Sequence, residues 1–363
     1  MYRRLGMPAG FNYGLSAARL LRTQFAAKSA PLSWEAFIDA QNWDDPDRIK
    51  ASMAVNTKAA VGDSNGDAAL LHSPVADDFA AALRAVTIFD KLGGRKVPLR
   101  TRLLDGSAAR AYWVEESKAI PLTRSELIGS ILEPKKVSAL IVVPNSVFTD
   151  PSADAEERFS QDLVNAAAEA LDGALLDPAN TGSPGKPAAI TNGGTVIVSS
   201  GSTLANIDAD LELMLDAVAD AGSDMVGVTW IMRPQTAIHL SLMRGTGGAP
   251  AYPSITAAGG ELLGLRVLTS AGVPAAGTPS ETSIVLVDPD DFVYGDAGAS
   301  VSLSGQAMVE MSDTPAGATD TPVAATQFKV SLFQEDATAI KVVRRCSWTM
   351  RKPTVASLTG VDY

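Results

Sequence analysis

The segment from 152 to 176 constrains this chain more than any other, because only a long helix accounts for it. Ser152 is placed to cap the first turn, Glu156 and Glu157 favour the positive end of the helix dipole, and Pro178 stops the run. Ala155, Phe159, Leu163, Ala166, Ala170 and Leu175 recur at a spacing of three to four and predict one apolar stripe. At 1.5 Å per residue the rod spans roughly 35 Å. Segments of a different period surround it. From 95 to 148 apolar and polar residues alternate, so KVPLRTRLL, SAARAYWVEE and VSALIVVPNSVF predict strands, while 75–92 predicts a helix running into a strand. Beyond the rod come a helix over 204–221, the strand MVGVTWIM, a short helix after Pro234, a glycine-rich loop over 245–260, and strands LLGLRVLTS and SIVLVD. A loop over 312–325 and a long strand region over 326–351 follow. That order predicts an α+β fold. Residues 1–60 predict an arm, since short patterns such as Trp34-Phe37-Ile38 are cut apart by Pro8, Pro31 and Pro46.

Charge and cysteine usage narrow the function. A single cysteine, Cys346, excludes an intramolecular disulfide framework. No apolar run reaches the roughly 18 residues of a membrane span, and the N-terminus lacks the apolar core of a secretory signal, so assembly in a cytosol is expected. The net charge of −11 is uneven. Residues 1–30 carry Arg3, Arg4, Arg19, Arg22 and Lys28 without an acid, and residues 341–352 carry Lys341, Arg344, Arg345, Arg351 and Lys352 without one. All 41 acidic residues lie elsewhere, so the body repels phosphate, which argues against a dedicated DNA-binding protein. The basic ends suit nucleic acid or acidic patches on neighbouring copies equally.

Catalytic signatures are missing: the chain has no G-x-S-x-G, no G-x-x-x-x-G-K-[ST] and no H-E-x-x-H. RGTGGAP (244–250) lacks the third glycine of a nucleotide fingerprint and ends in Pro250, which favours a mobile loop. His239, among Ile238, Leu240 and Leu242, predicts a packed helix-face histidine, and His72 stands alone. DPDDF (288–292) lacks the spacing of a calcium loop and predicts a solvated turn. Trp113 and Trp230 lie in strand-like runs and predict core or interface packing. No catalytic residue, metal ligand or cofactor site is predicted. The one enzymatic alternative is carboxylate chemistry using Glu115, Glu116 and Asp288. AYWVEESKAIPLTRSEL (111–127) is too polar for a core strand and too regular for a loop, which suits a ribbon leaving its own subunit.

Several segments, in this order, resemble the HK97-fold major capsid proteins of tailed bacteriophages. WVEESKAIPLTRSEL resembles that family's E-loop, an extended hairpin, and EPKKVSALIVVPNSVFTD resembles its returning strand. Helix 153–176 with LLDPANTGSPGKPAAI resembles the spine helix and the loop after it, with Asp177-Pro178 where glycine is usual. TWIMRPQTAIHLSLMR, GGELLGLRVLTSAGVP and RRCSWTMRKPTVASLTG resemble the later strand–helix turn, the Leu-x-Gly segment and the closing strand. The likeness covers about 75–355.

This resemblance implies an HK97-like capsid fold: an N-terminal arm (1–70), the start of a peripheral P-domain (71–110), the E-loop (111–136) and the P-domain with its spine helix (137–222). An axial A-domain (223–322) and the P-domain closing strand with the C-terminal tail (323–363) complete it. It implies a virion shell protein assembled in the host bacterial cytoplasm as hexamers and pentamers around double-stranded DNA, without a membrane. Portal and scaffolding or decoration proteins are the implied partners, and scaffolding is expected from a separate protein or none. A shell of the encapsulin kind is the alternative within the fold. Implied inter-subunit contacts are Trp113, Glu115, Glu116, Lys118, Ile120, Pro121 and Arg124 in the E-loop, with possible charge partners at Arg3, Arg4, Arg19, Arg22, Arg344 and Arg345. Some family members crosslink an E-loop lysine to a neighbour's asparagine with the help of a glutamate. Aligned on Pro121, this chain has Ile120 at the lysine position, Lys118 two residues away, and Val343-Arg344 where the glutamate precedes an arginine. A shell held by buried area and charge pairing is therefore expected.

Overall fold

The computed structural model describes residues 23, 34–40, 46, 47, 49, 50, 74–106, 113–116, 118, 119, 127–145, 153–245, 247–276, 281–311 and 329–363. Two units divide the chain: residues 1–91, 137–171 and 298–344 form the first, and residues 92–136, 172–297 and 345–363 the second. The helices are α1 (Trp34–Ala40), α2 (Pro74–Val86), α3 (Ile88–Lys91), α4 (Ala153–Leu176), α5 (Leu204–Asp220) and α6 (Pro234–Leu242). The first eight strands are β1 (Arg95–Lys96), β2 (Arg102–Gly106), β3 (Leu127–Ile131), β4 (Lys135–Pro144), β5 (Thr195–Val198), β6 (Thr229–Met232), β7 (Ile255–Thr256) and β8 (Gly259–Leu262). The others are β9 (Leu265–Thr269), β10 (Ala275–Ala276), β11 (Glu281–Val287), β12 (Phe292–Ser304), β13 (Met308–Glu310), β14 (Lys329–Ser331), β15 (Ala337–Met350) and β16 (Val355–Val361).

The long helix forms and ends before Pro178 as predicted, but part of its buried face differs from the predicted stripe. Leu163, Val164, Ala167, Ala168, Leu171 and Leu175 are buried, whereas Ala166 and Ala170 are exposed. Alanine tolerates either face, so the larger side chains decide the phase. Ser152 and the side chains of Ala155 and Phe159 lie outside what is described.

In the first unit, a second helix replaces the strand predicted near residue 90. The β-branched run Val86-Thr87-Ile88 suggests extended chain. Instead the single Thr87 hydroxyl hydrogen is shared between the Leu83 carbonyl (3.1 Å) and the Asp90 carboxylate (2.9 Å), closing a corner that leads into α3 with Ile88 and Phe89 buried. Further along, β13 pairs antiparallel with β14, and Leu332 is buried with Ala337 and Ala339, with Val142, Ala307 and Val309 packed on them.

Four strands follow the order β1-β12-β15-β4. No strand was predicted at β12, because its glycines and small residues resemble breakers. Gly295 is required there by packing: a Cβ would lie 2.6 Å from Leu99 Cδ2 and 3.0 Å from Leu132 Cδ2.

The second unit is built on a sheet ordered β5-β16-β11-β6-β9-β8-β7, with β10 beside β11. β11 shows why this sheet is central. Ile284 and Leu286 face one side and Val285 and Val287 the other, all fully buried, as a continuous apolar run predicts for a strand covered on both faces. Helix α5 covers the first side with Ile207, Leu211, Met214 and Val218, packed against Trp230, Met232, Ile284, Leu286, Ala356 and Leu358. Each such burial contributes about 1.5–3 kcal/mol. Thr203 caps α5 by accepting from the Asn206 N–H, and Pro234 opens α6 at a position where no amide hydrogen is needed. Asp210 is buried within α5 because Ser200 donates to it from both its N–H (2.9 Å) and its hydroxyl (2.8 Å).

Helix α5 packs on the eight-stranded sheet, and β16 lies inside that sheet, antiparallel to β11 and parallel to β5. Strand β16 closes the core because Ala356, Leu358 and Val361 are apolar at the positions facing α5.

Candidate inter-subunit surface

The polar segment 111–127 joins two strands that, among the described residues, pair as a two-stranded ribbon. β2 and β3 pair antiparallel, from Arg102 opposite Ile131 to Gly106 opposite Leu127. At the base, the Arg100 N–H donates to the Leu132 carbonyl at 2.8 Å, and Leu132 is buried near Gly295. The described residues between the strands are all exposed: Trp113, Val114, Glu115, Glu116, Lys118 and Ala119. A strand was predicted through SAARAYWVEE, but 113–116 is not extended in a ladder, and the Lys118 N–H closes a turn onto the Glu115 carbonyl at 3.1 Å. Four charges and a proline within eleven residues leave no apolar alternation strong enough to hold a strand there. Trp113 is fully exposed, and no described residue covers its ring. An indole normally buries 150–250 Å², so this position is unfinished in a single copy. Ile120, Pro121 and Arg124, and likewise Arg3, Arg4, Arg19 and Arg22, lie outside the described residues.

Arg344 and Arg345 separate sharply. Successive residues of β15 face opposite ways, and Arg344 shares its face with Ile340, Val342, Cys346 and Trp348. It is 2% exposed, and its two terminal nitrogens donate to the two Asp90 oxygens at 3.0 Å each. The guanidinium also lies 5.2 Å from the Phe89 ring centroid. Arg344 is therefore held in an internal ion pair, on the face where the strand period puts it. Arg345 is exposed and keeps the role open to it.

Other expectations change in the same way. His239 is exposed at the end of α6 and not packed. DPDDF is not a solvated turn: Asp288 is buried, accepting from the Ser223 hydroxyl and the Asp290 N–H, and Asp291 accepts from the Thr354 hydroxyl at 3.0 Å. Those oxygens are occupied by protein donors. RGTGGAP is a closed turn, with the Gly245 N–H donating to the Ala249 carbonyl and Gly248 to Gly245, both at 2.9 Å. Trp230 is core, while Trp348 is buried with its indole N–H on the Ala188 carbonyl at 2.7 Å. Among the described residues no cluster of His, Cys, Asp or Glu could hold a metal, and no helix is long and apolar enough to cross a membrane.

A family model described as the phage capsid family matches residues 67–353, most of the chain. The chain belongs to the phage capsid family. A "Capsid polyprotein" of Pseudomonas phage PAJU2 is 33% identical over 332 residues, covering 87% of this chain. The capsid chain spans about half the length of that relative, 49%. Among solved structures, one from Mycobacterium phage Adephagia aligns with TM-score 0.55 at 15% identity, covering 84% of this chain and 96% of its own. Another, from Gordonia phage Cozz, aligns with TM-score 0.54 at 15% identity, covering 76% and 86%. The capsid chain has the HK97-like fold, and its family assigns it a structural role as a major capsid subunit.

Proposed function

We propose that this chain self-assembles, as hexamers and pentamers, into an icosahedral shell that encloses phage double-stranded DNA. The observation that carries the proposal is Trp113, fully exposed on a two-stranded ribbon. A large aromatic left uncovered by its own fold is the kind of side chain that anchors interfaces, and a ribbon with unpaired edges is an aggregation hazard unless another chain covers it. In the shell the ribbon of one copy lies over its neighbour, with Trp113 as the apolar anchor and Glu115, Glu116, Lys118, Ile120, Pro121 and Arg124 beside it. Arg345 and the basic N-terminal residues Arg3, Arg4, Arg19 and Arg22 pair with acidic neighbours. The negative balance of the body keeps the packaged DNA from adhering to the wall. Assembly takes place in the host cytoplasm, with portal and scaffolding or decoration proteins as partners, and the subunit carries no catalytic step.

Replacing Trp113 with alanine tests this. Subunit stability should change by no more than about 0.5 kcal/mol, the usual effect of an exposed substitution. Sedimentation of the expressed protein should show the loss of fast particles. Particles at the parent's yield would reject the anchor.

A further inference from the structure

Two loops at one end of the eight-stranded sheet hold backbone conformations that their residues disfavour. β8 and β9 are joined by the two-residue turn Leu263-Gly264, with Leu262 opposite Leu265. Leu263 has φ +53° and Gly264 φ +77°, the left-handed pair of a type I′ turn. Asparagine, aspartate or glycine normally occupies the first of these positions, because left-handed backbone presses a Cβ against the following carbonyl. Leu263 receives little packing in return, since it is 58% exposed.

The adjacent loop repeats the pattern. Met225 has φ +60°, between Gly222 at +88° and Gly227 at +80°, and Val226 beside it is 68% exposed. β6 and β9 run parallel with Thr229 opposite Arg266, so Val226 and Leu263 each lie three residues before that pair, at the same sheet end. The loop is rigidly built. The Ser223 hydroxyl donates to Asp288 and accepts from the Met225 N–H at 3.0 Å, and the Val226 N–H donates to Asp224 Oδ1 at 3.2 Å.

We propose that Val226 and Leu263 form a preorganised apolar docking surface for a second copy of this chain. The inference rests on the shell reading and adds a contact in the second unit, separate from the ribbon. Strained non-glycine positions persist where another interaction returns the energy, and rigid apolar projections bind at little cost in ordering entropy. The rim favours a copy over other occupants. Asp220, at the end of α5, and Asp224, on the loop after it, are exposed, as is Arg266 on the neighbouring strand, so the surface carries both signs around its apolar pair. A second copy of the same surface, turned about, offers each sign its opposite, whereas nucleic acid would meet carboxylates.

Leu263→Asn separates the contact from the fold, because asparagine suits the turn better than leucine. The unassembled variant should keep or raise its thermal midpoint, while the concentration needed for assembly rises about tenfold or more. In parallel, amide hydrogen exchange over 221–228 and 262–265 in parent shells should be at least about tenfold slower than in parent subunits. Should the asparagine variant misfold, Val226→Ser is read in the same assays. Assembly of the variant at the parent's concentration, or unchanged exchange in both loops, would overturn the docking surface alone. Failure of the parent to form any shell would overturn the shell reading, and this inference with it.

Discussion

Arg344→Met is the sharpest test of how the first unit is held together. The substitution leaves the Asp90 carboxylate, which is only 10% exposed, with the Thr87 hydroxyl as its remaining hydrogen bond among those described above. Breaking a buried pair by removing one partner costs about 3–5 kcal/mol, most of it from the stranded charge. Loss of the contact with the Phe89 ring belongs to the same change. At about 1.4 kcal/mol per factor of ten, the folded-to-unfolded ratio falls roughly 150-fold or more, and the roughly 3–5 kcal/mol lost is a large part of an ordinary domain's 5–15 kcal/mol. The pair as a whole is a different matter, since apolar residues of similar volume often replace a buried ion pair at no loss. Arg344→Met with Asp90→Leu should therefore recover at least half of the lost stability. Arg345→Glu, one residue on and exposed, should stay within about 0.5 kcal/mol of the parent. Urea unfolding of unassembled subunits, followed by circular dichroism, reads all three. If Arg344→Met shifts the unfolding free energy by less than about 1 kcal/mol yet abolishes assembly, Arg344 acts between subunits and the reasoning from strand period is refuted.

Gly272→Ala should destabilise the second unit by about 1–3 kcal/mol, because the new Cβ would lie 2.6 Å from Asp172 Cβ, beside the Ser270–Asp172 hydrogen bond. An unchanged thermal midpoint would contradict that packing. Burial, reinforced by the hydrogen bond to Asp208, raises the Tyr252 phenol above its usual value of 10.0, and burial with nearby Asp210 does the same for Tyr363. A folded-state value raised above the unfolded one gives stability that is complete below about pH 10 and is lost as pH rises beyond it. Unfolding measured from pH 8 to 11 should show that fall, and Tyr252→Phe should flatten part of it; an identical slope would contradict the assignment.

What was legible in the sequence followed from side-chain size and chain period. The long helix announced itself through its dipole-complementing acids and the proline beyond, but its buried face did not, because Ala166 and Ala170 counted as apolar without filling space. β11 was legible because Ile284, Val285, Leu286 and Val287 admit little but a buried strand. β12 was hidden by Gly295, whose purpose is the close approach of Leu99 and Leu132, residues far off in sequence. Arg344 was legible in principle. Alternation along AIKVVRRCSWTM puts it on the apolar face and Arg345 on the other, whereas the basic cluster drew attention to both together. Nothing local marks Asp90 as its partner, since 254 residues separate them. Within the ribbon, the polarity of 111–127 pointed outward correctly for Trp113, Glu115, Glu116 and Lys118, yet their turn depended on a single backbone hydrogen bond that composition does not encode. The strained Leu263 carried a faint signal, a leucine before glycine between two strand-like runs.

Electron microscopy of the assembled protein tests the central claim most directly. Closed icosahedral shells of hexamers and pentamers, with density for the 102–131 ribbon of each copy lying over its neighbour and Trp113 covered there, are the predicted result. Subunits that remain monomers or dimers under all conditions, or shells in which Trp113 faces solvent, would contradict it.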